Sequence, residues 1–264
     1  MHKAKGIFMI SILLLIIYIS IGFYNPLITR KYEYSNKKIP ESLDGYTIVQ
    51  LSDFHCYAFQ NEEEELIKEV ASCNPNIIVL TGDMIDGAHT TDNLSLLLKG
   101  LALIAPIYFV TGNHEYDSTY YRKQMYLLFE KYHVFCLPNE SIEISYQNVN
   151  FYLYGYDFYD TPICLSQTKQ ENLNLLLYHN SEDFESISNL GYDLILSGHT
   201  HGGIIRLPFI GGVLGNNHIL FPKYDGGYYA KNNSVLISSR GLGDSIIPRF
   251  HNPRELVCIT LKSQ

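Results

Sequence analysis

Five short apolar runs in this chain stop at residues able to bind a metal. VQLSDFH ends in Asp53 and His55, and IIVLTGDMID in Asp83 and Asp86. YFVTGNHE ends in Asn113, His114 and Glu115, NLLLYHN in His179, and LILSGHTH in His199 and His201. The runs are short and rich in β-branched residues, the pattern of buried strands. Helical stretches separate the first three: NEEEELIKEVAS, with an acidic first turn, then TDNLSLLLKGLAL and, after the third, STYYRKQMYLLFEKY. A β-α-β-α order demands parallel strands with helices on their faces. In open α/β sheets the C-terminal strand ends share one rim, where ligands bind. Pieces of chain far apart in sequence are therefore expected to meet there.

The second half is richer in strands: SIEISY, NFYLYGYD, NLNLLLYHN, YDLILSGHTH, NSVLISS and ELVCITL. A helix is expected around SEDFESISNL, and a hairpin turn at Gln147-Asn148. The fold class is α/β: a four-layer α/β/β/α sandwich of two mixed sheets flanked by helices. The Tyr-rich FYLYGYDFY alternates like an edge or surface strand.

One N-terminal transmembrane helix is expected ahead of this domain. Residues 6–24, GIFMISILLLIIYISIGFY, are uncharged and nearly all apolar, and as a helix they span about 28 Å, close to a bilayer core. No small-residue cleavage site follows, so the segment reads as a retained signal anchor. The organisation expected is a flank at 1–5, the anchor at 6–24, a polar tether at 25–44 and the catalytic domain at 45–264. Lys3 and Lys5 favour an N-terminus inside, while Arg30, Lys31, Lys37 and Lys38 pull the other way. A single-pass cell-membrane protein with its domain on the extracytoplasmic side is the expectation.

The formal net charge is −8, which argues against a nucleic-acid scaffold gripped along its backbone. The cysteines, Cys56, Cys73, Cys136, Cys164 and Cys258, form no pair with metal or disulfide spacing; Cys56 alone neighbours a candidate ligand, His55. His199 and His201 are two residues apart, so both project to one side of a strand. Glycine just before a polar residue, as in GNHE and GHTH, lets the backbone approach a metal or phosphate closely.

Together, DFH, GDMID, GNHE, the single histidine after a strand and GHTH resemble the signature of calcineurin-like metallophosphoesterases. The tail, GHTHGGIIRLPFIG and SSRGLGDSIIPRFHNPRELVCITL, resembles the membrane-anchored or exported phosphodiesterase branch, which includes relatives acting on UDP-diacylglucosamine. That branch often has a polar residue where Ile204 stands. The resemblance implies two divalent ions. Asp53, His55 and His201 would hold one, Asn113, His179 and His199 the other, and Asp83 would bridge them. Imidazole mixed with carboxylate suits Mn²⁺, Fe²⁺/Fe³⁺ or Zn²⁺ better than Ca²⁺. Two such ions outweigh the charge of Asp53 and Asp83, giving an anion site in an acidic chain. They would acidify a bridging water to hydroxide and clamp phosphoryl oxygens for in-line attack.

His114 is expected to face the leaving-group oxygen. Asp86 either orients His114 or caps a helix, and Glu115 is expected at the surface or behind the ligands. Arg206, Arg240 and Arg249 either meet substrate phosphates or form surface ion pairs. The expected function is a membrane-anchored phosphohydrolase cleaving a phosphodiester or pyrophosphate in a lipid- or envelope-linked, UDP-diacylglucosamine-like substrate. The alternatives are a phosphomonoesterase on phosphoproteins or nucleotides, and a non-catalytic metal-stabilised envelope-binding module.

Overall fold

Alternation by two sorts the strand residues into layers. In β2 (Thr47–Leu51), Val49 and Leu51 pack into one apolar cluster while Ile48 enters another. β3 (Ile77–Thr81) and β4 (Ile107–Val110) divide in the same way, Ile78, Leu80 and Phe109 to the first cluster, Val79 and Val110 to the second. The first cluster is closed by α2 (Glu64–Ser72), α3 (Asp92–Leu101) and α4 (Thr119–Lys131), which contribute Leu66, Leu97 and Phe129. The second lies between two sheets, because Leu175 and Leu177 of β8 (Asn174–Asn180) and Leu194 and Leu196 of β9 (Leu194–Gly198) enter it from the far side. A third cluster covers the outer face of the far sheet, where Phe184 and Ile187 of the one-turn α6 (Phe184–Ile187) meet Leu176 and Ile195. The computed structural model thus has the expected α/β/β/α layering; it describes residues 2–59, 61, 63–215, 219–244 and 247–264, with the side chains of 2–4 and 168 excepted.

The chain also forms α1 (His2–Gly22), β1 (Leu27–Ser35), β5 (Phe135–Cys136), β6 (Glu140–Tyr146), β7 (Val149–Gly155) and α5 (Gln167–Gln170). Later come β10 (Ile205–Leu207), β11 (Gly211–Leu214), β12 (Gly227–Lys231), β13 (Ser234–Ser238) and β14 (Arg254–Lys262). One six-stranded sheet runs β1-β14-β2-β3-β4-β5 and the other β12-β13-β9-β8-β7-β6. β2 to β5 are parallel, as are β7, β8, β9 and β13, whereas β14 is antiparallel to β2 and β6 and β12 run antiparallel to their neighbours. The β6–β7 turn falls at Gln147-Asn148, both with positive φ, as a two-residue hairpin requires.

The expected tether contains a strand. β1 pairs in parallel with β14 over its whole length, Leu27 with Arg254 to Ser35 with Lys262. Its sequence, LITRKYEYS, reads as polar because an edge strand buries only part of itself, and charges along an open edge hinder pairing with other chains. α1 is long and apolar enough to cross a membrane, and the domain buries almost none of it. Its C-terminal end rests on the domain: the Phe23 and Phe250 rings are 5.2 Å apart, and the His251 N–H donates to Gly22 O at 2.6 Å.

A candidate metal centre at the meeting of two sheets

All the expected ligands lie at or just beyond the C-terminal ends of the central strands of both sheets, His179 being the last residue but one of β8. β2, β3 and β4 deliver Asp53, His55, Asp83 and Asn113, and β8 and β9 deliver His179, His199 and His201. The chain turns sharply as it leaves β2, β3 and β9. Asp53, His55, Asp83, His199 and His201 have φ of 51, 50, 54, 75 and 48°. Left-handed backbone at a residue with a Cβ costs roughly 1–2 kcal/mol, and such strain concentrates at functional sites where surrounding packing enforces it.

Two groups of ligand atoms result: Asp53, His55, Asp83 and His201, and Asp83, His179 and His199, all buried. Asp83 belongs to both. Its Oδ2 is 3.1 Å from His179 Nε2 and 3.9 Å from His55 Nε2, while Oδ1 accepts the His114 N–H at 2.8 Å. Asp53 Oδ1 is 3.4 Å from His201 Nε2 and 3.9 Å from His179 Nε2. His55 Nε2 and His201 Nε2 face each other at 3.1 Å.

These donors fit divalent cations. Asn113 Oδ1 is buried with no hydrogen-bond partner, although a buried carbonyl oxygen ordinarily has one. His179 Nδ1 is 2.6 Å from Thr81 O, an acceptor, so Nδ1 carries the hydrogen and Nε2 turns to the carboxylates. Burial lowers His55 to about 4 and His199 to about 3, and it holds His201 well below the usual histidine range, so all three rings present lone pairs at neutral pH. Burial also drives Asp53 upward and would lower His179, but Asp83 and Asp53 outweigh it and raise His179. His179 in turn helps hold Asp83 low against its own burial.

The glycines before the ligands pack against carboxylates. A Cβ on Gly112 would stand 2.2 Å from Asp83 Oδ1, and one on Gly198 would stand 1.9 Å from Ser52 Oγ and 2.3 Å from Asp53 Oδ2.

Glu115 is fully buried and is the anchor of the Asp83 turn. Its carboxylate accepts N–H bonds from Asp83 at 2.9 Å, Met84 at 2.7 Å and Gly112 at 2.5 Å. Glu115→Ala leaves these donors unpaired; at about 1–3 kcal/mol for each buried orphan, thermal unfolding is expected to show a loss of at least about 3 kcal/mol.

His114 lies at the rim, with its ring centroid 4.8 Å from that of His55. Its orienting partner is Asp117, whose Oδ2 is 2.6 Å from His114 Nδ1. Asp86 does not orient it: its Oδ2 lies 2.5 Å from His89 Nδ1, and its Oδ1 accepts the N–H groups of Ala88 and His89. The reason is local. His114–Tyr116 form one 3-10 turn, which brings residue i+3 alongside residue i.

The arginines are committed to structural partners. Arg206 bonds Asp225 Oδ2 at 2.9 Å, and Arg240 lies 3.5 Å from Glu255. Arg249 is buried and donates twice to Gly243 O. Phe158, near the end of the FYLYGYDFY run, walls the site with its ring 5.7 Å from that of His179 and 5.4 Å from that of His199. That run is not an edge strand, because β7 lies between β6 and β8, and Phe158 follows just past its end. Asn252 carries no such signal: its Nδ2 donates to His201 O at 2.6 Å.

Similarity to known proteins agrees with this geometry. The chain is 29% identical over 249 residues to the metallophosphoesterase YkuE of Bacillus subtilis, covering 89% of this chain and 85% of that protein. It is 29% identical over 176 residues to the phosphodiesterase YaeI of Escherichia coli, covering 64% of each. Its fold matches the Haemophilus influenzae NAD nucleotidase NadN with a TM-score of 0.51 at 16% identity, over 74% of this chain and 50% of that one. The family model for calcineurin-like phosphoesterases matches residues 46–203, the stretch that carries every one of these motifs, and the chain belongs to that family of metal-dependent phosphoester hydrolases.

Proposed function

We propose that this protein is a membrane-anchored phosphohydrolase that uses two divalent cations to cleave a phosphodiester or pyrophosphate bond in a lipid- or envelope-linked substrate of the UDP-diacylglucosamine type. The observation that carries the reading is the pair of buried ligand groups meeting at Asp83. Asp53, His55 and His201 would hold one ion, Asn113, His179 and His199 the other. Bound there, two divalent ions of the Mn²⁺, Fe or Zn²⁺ kind supply an acidified water and a positive clamp for phosphoryl oxygens.

The protein's own residues do the rest. Glu115 and Gly112 fix the Asp83 turn. His114, its Nδ1–H directed to Asp117, keeps Nε2 for the leaving-group oxygen, and Asp83 and Asp117 raise its pKa against the effect of burial. Phe158 excludes water from one flank. The anchor is α1, and because β1 is part of the sheet, the catalytic domain begins near Leu27 rather than Gly45. The name of the E. coli relative supports diester cleavage, α1 supports a membrane location, and Lys3 and Lys5 ahead of it support an N-terminus inside, which puts the domain on the extracytoplasmic side.

The test is elemental analysis of the full chain joined to hydrolysis assays. Two metal equivalents and faster Mn²⁺-dependent cleavage of bis(p-nitrophenyl) phosphate than of p-nitrophenyl phosphate are expected. The opposite preference would give the phosphomonoesterase reading instead. His114→Gln is expected to lower kcat by about 100-fold or more, the scale of general acid catalysis, while metal content stays at the parent level. The loss should be smallest for esters with p-nitrophenolate as leaving group, which needs little protonation.

A further inference from the structure

The turn that carries His201 continues into a hairpin whose outer surface is apolar and uncovered. β10 and β11 pair antiparallel, and the chain returns along β11, with Leu220 beside Leu214 and the Phe221 N–H donating to Val213 O. Phe209 at the hairpin tip is fully exposed, and Ile210, Leu220 and Phe221 are each more than half exposed. Large exposed apolar side chains grouped in this way mark an interaction surface.

Two features say what covers it. The first is continuity with α1. Phe250 packs on Phe23 at the end of that helix and exchanges backbone hydrogen bonds with the start of the hairpin, donating to Ile204 O and accepting from the Arg206 N–H. Ile205, Leu214 and Leu220 follow as successive neighbours. At about 4.8 Å per strand, Leu220 lies on the order of 15 Å from Phe250. Phe23 and Tyr24, exposed where α1 ends, are the aromatic pair expected at a membrane interface. The second feature is charge. No Asp or Glu occurs between Asp193 and Asp225, and the two basic residues that flank the apolar ones, Arg206 and Lys223, are paired with Asp225 and Glu185, so the four exposed side chains carry no charge themselves and stand beside neutralised pairs. Aromatic and aliphatic side chains whose neighbouring charges neutralise one another suit the boundary between headgroups and acyl chains of a bilayer.

We propose that the exposed face formed by Phe209, Ile210, Leu220 and Phe221 lies in the interfacial layer of the bilayer that α1 enters, holding the metal-site rim against the membrane so that the phosphoester is taken from an amphiphile in that plane. The inference rests on the membrane reading of α1. His201 is the structural link: its 3-10 turn, His201–Gly203, leads directly into β10, and a Cβ on Gly203 would stand 2.5 Å from Gly212 Cα of β11. The hairpin and the ligand turn are in contact and hold one orientation.

The chain contains no tryptophan, so single substitutions give clean depth reporters. The full chain carrying Phe209→Trp, Phe221→Trp, Phe23→Trp or Leu103→Trp is reconstituted into phosphatidylcholine vesicles with and without dibrominated acyl chains. Leu103 is 86% exposed just before β4, at the rim opposite the metal site. The expected result is blue-shifted emission and at least two-fold quenching by brominated lipid for the Phe209→Trp, Phe221→Trp and Phe23→Trp proteins, with none for Leu103→Trp. If the Phe23→Trp protein is quenched but the two hairpin reporters behave like Leu103→Trp, the hairpin proposal is overturned and the anchor stands. If the hairpin reporters shift to the blue with rising protein density yet ignore brominated lipid, a second copy covers the face and the proposal is likewise overturned. If the Phe23→Trp protein is not quenched, the membrane reading of α1 fails and takes the proposal with it.

Discussion

Asp83→Asn is expected to cost at least about 1,000-fold in kcat/KM, the scale of losing electrostatic stabilisation at the reacting centre, together with half or more of the bound metal. The argument is geometric. Asp83 belongs to both ligand groups, its Oδ2 lying 3.1 Å from His179 Nε2 and 3.9 Å from His55 Nε2, and Oδ1 is already taken by the His114 N–H. An amide there removes the shared charge and can turn an NH₂, which has no lone pair to offer a metal, toward His55 and His179, where it blocks and repels any cation. His199→Ala, by contrast, touches one group alone and should empty one position more than the other. Elemental analysis and kinetics on the two variants separate these outcomes. An Asp83→Asn protein with the parent's metal content and turnover would remove Asp83 from the centre.

Gly198→Ala should also be damaging, although it replaces no ligand. The added methyl would lie 1.9 Å from Ser52 Oγ and 2.3 Å from Asp53 Oδ2, far inside van der Waals contact. Gly198 belongs to β9, whose path is fixed by pairing with β8 and β13, so the carboxylate is what yields. Overpacking of this kind costs roughly 1–3 kcal/mol of stability; the larger effect is on the site, with about a 100-fold loss of activity from displacing a positioned group by an ångström. A near-normal unfolding temperature with weakened metal retention is the signature to look for. Equal loss of fold and function would mean that the strand, not Asp53, had moved.

Both predictions concern features that the sequence carries openly. A ligand at a strand end is a local pattern, an apolar alternating run followed by Asp, Asn or His, and five such runs are legible one by one. The sandwich was legible for the same reason, since alternation assigns each strand two buried faces. What stayed hidden depends on distant chain or on half-burial. β1 carries Arg30, Lys31 and Glu33 because an edge strand faces water, and this made it look like linker. Glu115 looks like any charged residue after a strand until the N–H groups of Asp83 and Met84 are seen to converge on it. Asp86 invited a role beside His114 because both neighbour motif residues, but Asp117 is the acid that the local turn sets next to the ring. The arginines had the right sign for phosphate, yet Asp225 and Glu255 come from elsewhere in the chain and claim Arg206 and Arg240.

The ligands divide between the two sheets, which face each other across the apolar layer of Leu175, Leu177, Val79 and their neighbours. That layer therefore works as a caliper. Its thickness fixes how far His179 and His199 stand from Asp53 and His55, so trimming a side chain deep in the sandwich changes the gauge of the centre without altering any group inside it.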